Sequence, residues 1–162
     1  MKGGKDSTTT WLAPGARVAL VVAPYYTEIA AGLVAGARAA LESGGATVET
    51  FEVPGALEIA SAIATIERGA PAGGLPAFDG YVALGCVIRG ETSHYDLVCG
   101  ESARGLTLLG VERGVAIGNG VLTVENYAQA QERADPARLN KGGEAAVACL
   151  SLIALRRARA GA

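Results

Sequence analysis

Four short stretches rich in apolar residues recur along the chain, and longer segments that mix apolar and polar residues separate them. The first and third stretches are almost continuously apolar, which is typical of strands covered on both faces in a parallel sheet. The four stretches predict strands over Ala16–Ala23, Ala46–Val53, Gly80–Ile88 and Val115–Leu122.

The intervening segments carry apolar residues at helical spacing. After the first strand, Ile29, Leu33, Ala37 and Leu41 follow this spacing, and Gly44-Gly45 ends it. The same signals predict helices over Thr27–Ser43, Ala56–Arg68, His94–Gly110, Asn126–Ala134 and from Asn140 to about Arg159, with loops at Gly69–Phe78 and Asp135–Leu139.

Strands that alternate with helices favour right-handed crossovers and a parallel sheet. We therefore predict an α/β fold, a three-layer α/β/α sandwich of flavodoxin-like type with a four-stranded parallel sheet. The length of 162 residues fits one domain. We expect this domain to span residues 16–162, after a flexible N-terminal tail over residues 1–15.

Composition narrows the classes of partner. The formal charge is −2 and no block of basic residues occurs, which argues against nucleic acid. No stretch reaches the ~18 uncharged apolar residues of a membrane span, so we expect no membrane association. Three irregularly spaced cysteines indicate reduced thiols and a cytoplasmic location. One histidine and scattered cysteines give no spacing for a metal site.

In open parallel sheets, ligands bind beyond the carboxyl ends of the strands. The only histidine, His94, follows the third strand and could transfer protons or stabilise a helix start. Thr92 and Ser93 precede it and could cap the helix or bind a phosphate. Tyr25 could stack on a flat ring or fill the end of a strand. Glu58 could favour the helix dipole or bind a ligand hydroxyl.

Spacing alone assigns no role to the remaining polar positions. Arg133 and Lys141 are interpreted as solvated charges, and Asn119 and Cys86 as turn or core residues. No Gly-rich phosphate loop ending in Lys-Ser/Thr is present, and no Gly-x-Gly-x-x-Gly follows the first strand. The residues therefore indicate no nucleotide cofactor.

Four separated motifs, taken together and in order, are more specific than any of these residues. They are FEVPGALEIA (Phe51–Ala60), ALGCVIRGETSHYDLVCGESARGL (Ala83–Leu106), GVLTVEN (Gly120–Asn126) and NKGGEAA (Asn140–Ala146). From about Val18 to about Leu155, the chain resembles the lumazine synthase family. The resemblance implies a transferase of riboflavin biosynthesis that needs no metal or organic cofactor.

The resemblance also implies roles for individual residues. His94 would transfer protons and Arg133 would bind the phosphate of the substrate. Asn119 and Lys141 would come from a neighbouring subunit or from the edge of the pocket. The other substrate-binding residues implied are Tyr25, Ala56, Leu57, Glu58, Cys86, Val87, Ile88, Glu91 and Thr92. Pro24-Tyr25-Tyr26 differs from the family pattern, so either tyrosine is a candidate for the stacking ring.

The implied partners are two small molecules and further copies of the chain. The small molecules are a ribitylaminouracil and a butanone phosphate, and riboflavin synthase is a candidate protein partner. A pentamer is the implied unit, with each pocket between adjacent subunits. The Arg133–Lys141 loop favours an assembly no larger than a decamer.

Two other functions stay open at this point. A flavin- or lumazine-binding protein without turnover would keep Tyr25 and Glu58 but would not need His94 and Arg133. A flavodoxin-like interaction module would bind neither substrate. The presence of His94 and Arg133 favours the enzyme.

Overall fold

A computed structural model describes residues 11–69 and 72–161, in which four parallel strands form one sheet. The strands are β1 (Arg17–Val22), β2 (Thr47–Glu52), β3 (Gly80–Ile88) and β4 (Ala116–Val124), in the order β2-β1-β3-β4. The helices are α1 (Thr27–Ser43), α2 (Ala56–Arg68), α3 (His94–Arg113), α4 (Tyr127–Ala134) and α5 (Lys141–Ala160). A single 3₁₀ turn, Ala72–Gly74, lies in the predicted loop before β3.

The two faces of the sheet pack against different helices. Buried residues of α1, α4 and α5, such as Leu33, Ala130 and Leu150, share one hydrophobic cluster with one face. Ile59 of α2 and Leu106 of α3 belong to the cluster on the other face. Helices therefore cover both faces, and the prediction of a flavodoxin-like three-layer sandwich is confirmed.

Glycine at two positions lets α5 pack closely against its neighbours. A Cβ atom on Gly118 of β4 would overlap the backbone carbonyl of Ala145, and one on Gly142 would overlap the carbonyl of Leu33 in α1. Asn140 precedes the helix with a positive φ of 47° and accepts a hydrogen bond from the Gly143 amide at 3.2 Å. Such a left-handed residue turns the chain sharply, and asparagine tolerates it better than most residues. These contacts fix the start of α5 beside β4.

Two boundaries differ by more than one residue from those predicted. Helix α3 continues past Gly110 to Arg113, because the left-handed residue that ends it is Gly114, with a φ of 66°. Strand β4 runs two residues beyond Leu122 to Val124, whose carbonyl accepts a hydrogen bond from the Arg89 amide at 2.9 Å. The ladder with β3 therefore extends to the very end of both strands.

The expected N-terminal tail divides into two parts. Residues 1–10 lie outside the described residues. Ala13 is fully buried, and the amides of Ala13 and Gly15 donate to the carbonyls of Gly44 and Gly45 at 2.9 Å. The Arg157 guanidinium donates to the carbonyl of Pro14 at 2.8 Å. Residues 13–15 thus pack against the amino end of the core, while the division of the chain into a tail and one domain stays a prediction.

Cys86, Cys99 and Cys149 are all free thiols. No helix among the described residues is long and apolar enough to cross a membrane. The cytoplasmic location stays a prediction.

Candidate active site

The loops that follow the four strands meet at one end of the sheet, because all four strands run in the same direction. We call this end, formed by residues 23–26, 53–58, 86–94 and 125–127, the carboxyl rim. Ten of the predicted site residues lie on it: Tyr25, Ala56, Leu57, Glu58, Cys86, Val87, Ile88, Glu91, Thr92 and His94. Fold topology alone therefore collects most of the predicted site.

Three tyrosines form a row on the rim. The Tyr25 ring is 78% exposed and meets the Tyr26 ring edge-on, with 4.9 Å between centroids. Tyr26 is half-buried against the core and lies 6.3 Å from the ring of Tyr127. The Tyr127 hydroxyl donates to Glu28 at 3.3 Å. Tyr25 therefore has the freer ring of the two candidates for stacking, and Tyr26 supports it from the side.

The first turn of α2 presents the next group of predicted residues. Ala56 is buried, and its carbonyl accepts a hydrogen bond from the buried Ser102 hydroxyl of α3 at 3.4 Å. Leu57 and Glu58 are exposed. The carboxylate of Glu58 folds back towards Gly55, where it lies at the positive end of the helix. The turn is thus held by a hydrogen bond to α3 on its buried side, whereas its other side is exposed.

The last residues of β3 form a half-buried wall. Cys86, Val87 and Ile88 are each only partly exposed. Burial raises the pKa of the Cys86 thiol to about 11, so the thiol is neutral near pH 7. A neutral thiol beside two aliphatic side chains is an apolar surface rather than a nucleophile.

The loop after β3 leads into α3 without a side-chain cap. Ser93 occupies the N-cap position, yet its hydroxyl caps no amide among the described residues. The Thr92 hydroxyl accepts a hydrogen bond from the His94 amide at 3.3 Å. Glu91, Thr92 and His94 are all exposed. Backbone amides that lack a capping partner at the positive end of a helix are suited to binding an anion. The start of α3 is less completely capped than the start of α4.

The other predicted residues lie beside the outer edge of β4. Arg133, Lys141 and Asn119 line one cleft of about 340 Å³, which we call the β4 cleft, together with Thr123 and Glu144. The Arg133 guanidinium donates to the Gln129 carbonyl at 3.1 Å and lies 3.9 Å from Glu132. The Lys141 ammonium pairs with Glu144 at 2.7 Å. Two cations therefore flank this cleft.

Asn119 has a local structural task as well. Its side-chain oxygen accepts a hydrogen bond from the Val121 amide at 3.0 Å, on the outer edge of β4. Asn119 also lines a second cleft, of about 510 Å³, between α3, β4 and α5. This larger cleft is mainly apolar and contains none of the other predicted site residues.

One chain thus carries the predicted site in two separate groups. None of the ten rim residues lines the β4 cleft, so the cleft that contains Arg133 does not contain His94. The part of the chain that the structure describes also holds no group of three His, Cys, Asp or Glu residues close enough to bind one metal ion.

The interpretation of the sequence missed a cluster on the rim around Arg89. Its guanidinium donates to Glu125 at 2.7 Å, lies 3.6 Å from Asp96 and covers the ring of Tyr95 at 4.2 Å from the centroid. The hydrogen bond to Glu125 raises the pKa of Arg89 above its usual value. A signal was available, since Arg89 and Glu125 each follow directly after strands that prove to be neighbours.

Comparisons with known proteins agree on one family. Residues 15–157 match the family model described as 6,7-dimethyl-8-ribityllumazine synthase. A protein of that name from Methylorubrum populi is 58% identical over 145 residues, which are 89% of this chain and 85% of the relative. One from Novosphingobium aromaticivorans is 55% identical over 141 residues, which are 87% and 96% of the two chains. One from a Jannaschia species is 54% identical over 141 residues, which are 87% and 75%. The chain therefore belongs to the 6,7-dimethyl-8-ribityllumazine synthase family.

Proposed function

We propose that this chain makes 6,7-dimethyl-8-ribityllumazine from 5-amino-6-ribitylaminouracil and 3,4-dihydroxy-2-butanone 4-phosphate, as a transferase of riboflavin biosynthesis. The match of residues 15–157 to the family carries this proposal. The geometry supports it, because the rim combines an exposed aromatic ring, an open helix start and an apolar wall. These are surfaces for a flat heterocycle and for an anion.

The chemistry begins with attack of the pyrimidine amine on the ketone and loss of water to give an imine. Phosphate then leaves, and the second amine closes the ring with loss of a second water. Holding both substrates in reactive orientation can supply ~7–11 kcal/mol of the barrier. Positioning is therefore the main task of the pocket, and acid–base help is secondary.

In this pocket, Tyr25 stacks on the heterocycle, and Ala56, Leu57 and Glu58 hold the ribityl chain and the pyrimidine. Cys86, Val87 and Ile88 meet the edge of the pyrimidine. The amides of Glu91 and Thr92 and the guanidinium of Arg133 bind the phosphate. His94 transfers protons during imine formation and ring closure. Asn119 and Lys141 complete the pocket.

The separation of the two groups supports a pocket shared between copies. The β4 cleft of one subunit meets the carboxyl rim of the next, which brings Arg133 beside His94. Strand β4 lies at the edge of the described sheet, and large apolar side chains around it are exposed, with Val111 at 79% and Leu155 at 59%. Edge strands and exposed apolar surfaces of this kind are typical of interfaces. A pentamer-based ring gives every subunit one such pocket, whereas association with riboflavin synthase stays a prediction.

The decisive experiment mixes the purified protein with both substrates and follows the fluorescence of the lumazine product. Steady formation of product supports the enzyme. Binding of the lumazine without turnover would instead indicate a storage protein. Failure to bind either substrate would indicate an interaction module.

A further inference from the structure

Arg89 joins three parts of the carboxyl rim. Its backbone amide donates to the carbonyl of Val124 at the end of β4, and its Nε donates to the Glu125 carboxylate at 2.7 Å. The same guanidinium lies 3.6 Å from the Asp96 carboxylate and 4.2 Å from the centre of the Tyr95 ring. One side chain thus links the end of β3, the end of β4 and the first turn of α3.

These contacts involve residues next to His94 in the chain, so they can influence the orientation of His94. Tyr95 and Asp96 directly follow His94, and Gly90–Ser93 is the loop that they close. The Tyr95 hydroxyl adjoins the side chains of Cys99 and Thr123, so the ring under the guanidinium is itself held between α3 and β4. Arg89 therefore fixes both ends of the segment that carries His94.

The guanidinium is engaged by its own chain rather than by a ligand. Its nearest charged partners are two carboxylates, and its face is covered by an aromatic ring. The two carboxylates balance the positive charge of Arg89, so Arg89 itself offers little direct attraction to a phosphate. The role that suits this geometry is orientation of the loop.

We propose that Arg89 is a positioning residue, which holds the Gly90–Ser93 loop and the first turn of α3 so that the loop amides and His94 face the sugar phosphate. This inference rests on the proposed function, because it assigns the sugar phosphate to this loop. Arg89 acts through the loop and does not itself touch the substrate.

The test replaces Arg89 by Gln, which keeps much of the side-chain length and removes the charge. We expect Arg89→Gln to raise the KM for the sugar phosphate by roughly 10- to 100-fold, the range for a small misplacement of a binding group. The KM for the pyrimidine should change much less, since Tyr25 and Ala56–Glu58 lie on other loops and Cys86–Ile88 are held within strand β3. The Kd for inorganic phosphate should rise with the KM for the sugar phosphate. Arg89→Lys should recover part of the loss, because it restores the ion pair but not the stacked fork.

Arg104→Gln is the matched control. Arg104 lies on α3 and forms an ion pair of similar length, 2.8 Å to Glu101, but it is far along α3 from the loop and mostly exposed. Equal behaviour of the two variants overturns the positioning role, as does an equal rise in both KM values for Arg89→Gln. Lack of turnover by the unmodified protein would count against the proposed function instead. In that case the phosphate Kd of the two variants still decides the role of Arg89.

Discussion

Single side chains differ in how firmly their own chain holds them. Arg133 is fixed by the Gln129 carbonyl and by Glu132, both on its own helix. A guanidinium has five N–H donors, so these contacts leave donors for a phosphate. Arg138 pairs with the same glutamate at 3.5 Å but stands in the loop after α4. The two arginines therefore form a natural comparison.

We expect Arg133→Ala to raise the KM for the sugar phosphate by roughly 10²-fold or more, because it removes a charge-assisted fork. The KM for the pyrimidine should change much less. Steady-state kinetics with each substrate varied in turn measure both values. Arg138→Ala should leave both KM values near those of the unmodified protein, and equal losses for the two substrates in Arg133→Ala would exclude its assigned role.

His94 is exposed on the rim, and the task proposed for it is proton transfer. We expect His94→Ala to lower kcat by ~10²–10⁴-fold, the usual contribution of a general acid or base. Binding of the pyrimidine should persist, which equilibrium titration can verify. Complete loss of turnover with intact binding would mean that His94 does more than move protons.

The amino-acid sequence alone suggested some of these proposed roles but not others. The family motifs marked His94 and Arg133, whereas the only signal for the contact between Arg89 and Glu125 was that each residue follows a strand. Those two residues are 36 positions apart, and they meet only because β3 and β4 are neighbours. The choice between Tyr25 and Tyr26 likewise depended on which ring packs against the core.

At the scale of elements, two helices begin in contrasting ways. Asn126 caps α4 by accepting a hydrogen bond from the Gln129 amide at 2.9 Å, and the Gln129 side chain accepts one from the Glu125 amide at 2.8 Å. This pair resembles a capping box, except that the Gln129 side chain reaches the amide one residue before the N-cap. Ser93 at the start of α3 makes no such bond within the described residues. Side-chain hydrogen bonds therefore stabilise the start of α4, whereas the start of α3 is left for a ligand to bind.

We expect Asn126→Ala to lower the free energy of unfolding by about 1 kcal/mol, the usual cost of losing an N-cap. Ser93→Ala should change it by less than about 0.5 kcal/mol, because no capping bond is lost. Urea unfolding followed by circular dichroism compares the two variants. A larger loss for Ser93→Ala would show that its hydroxyl does cap α3 in solution.

Close packing of α5 allows another comparison between elements. We expect Gly118→Ala to destabilise the protein by about 1–3 kcal/mol, because its Cβ would overlap the Ala145 carbonyl. Gly100 in α3 has open space around it. Gly100→Ala should therefore stabilise by roughly 0.5–1 kcal/mol, the gain of alanine over glycine in a helix. Thermal unfolding of the two variants should shift in opposite directions, and parallel shifts would contradict the packing.

Elements were more predictable than their contacts. Apolar runs and helical spacing placed all four strands and five helices, because local sequence dominates these choices. The end of α3 was misjudged since Gly110 and Gly114 look alike in sequence, and only Gly114 adopts the left-handed conformation. Whether a glycine ends a helix depends on the tertiary packing around it, and the local sequence does not show that packing.

Strand β4 forms one of the two edges of the described sheet, and the predicted site is divided between this edge and the carboxyl rim. If adjacent copies share each pocket, two variants that are each strongly impaired at low sugar-phosphate concentration should complement one another. We expect a mixture of His94→Ala and Arg133→Ala, unfolded and refolded together, to recover roughly one quarter of the sites, as random assembly of a ring predicts. Product fluorescence measures the recovery.

Separate refolding of each variant before mixing is the control, and it should give no recovery until subunits exchange. Absence of recovery after joint refolding, with the oligomer intact by light scattering, would place His94 and Arg133 in a single-chain pocket or in none.

The exposed edge of β4 would also make a subunit outside the proposed ring prone to aggregation. Unpaired backbone groups beside the exposed Val111 and Leu155 side chains offer a template for strands of other molecules. The Asn119 side chain accepts a hydrogen bond from one amide on this edge, that of Val121. It therefore protects the edge only in part against pairing with other strands. If the proposed ring forms, dilution or heating that frees its subunits should therefore lead to aggregation rather than to stable monomers, and light scattering can measure this.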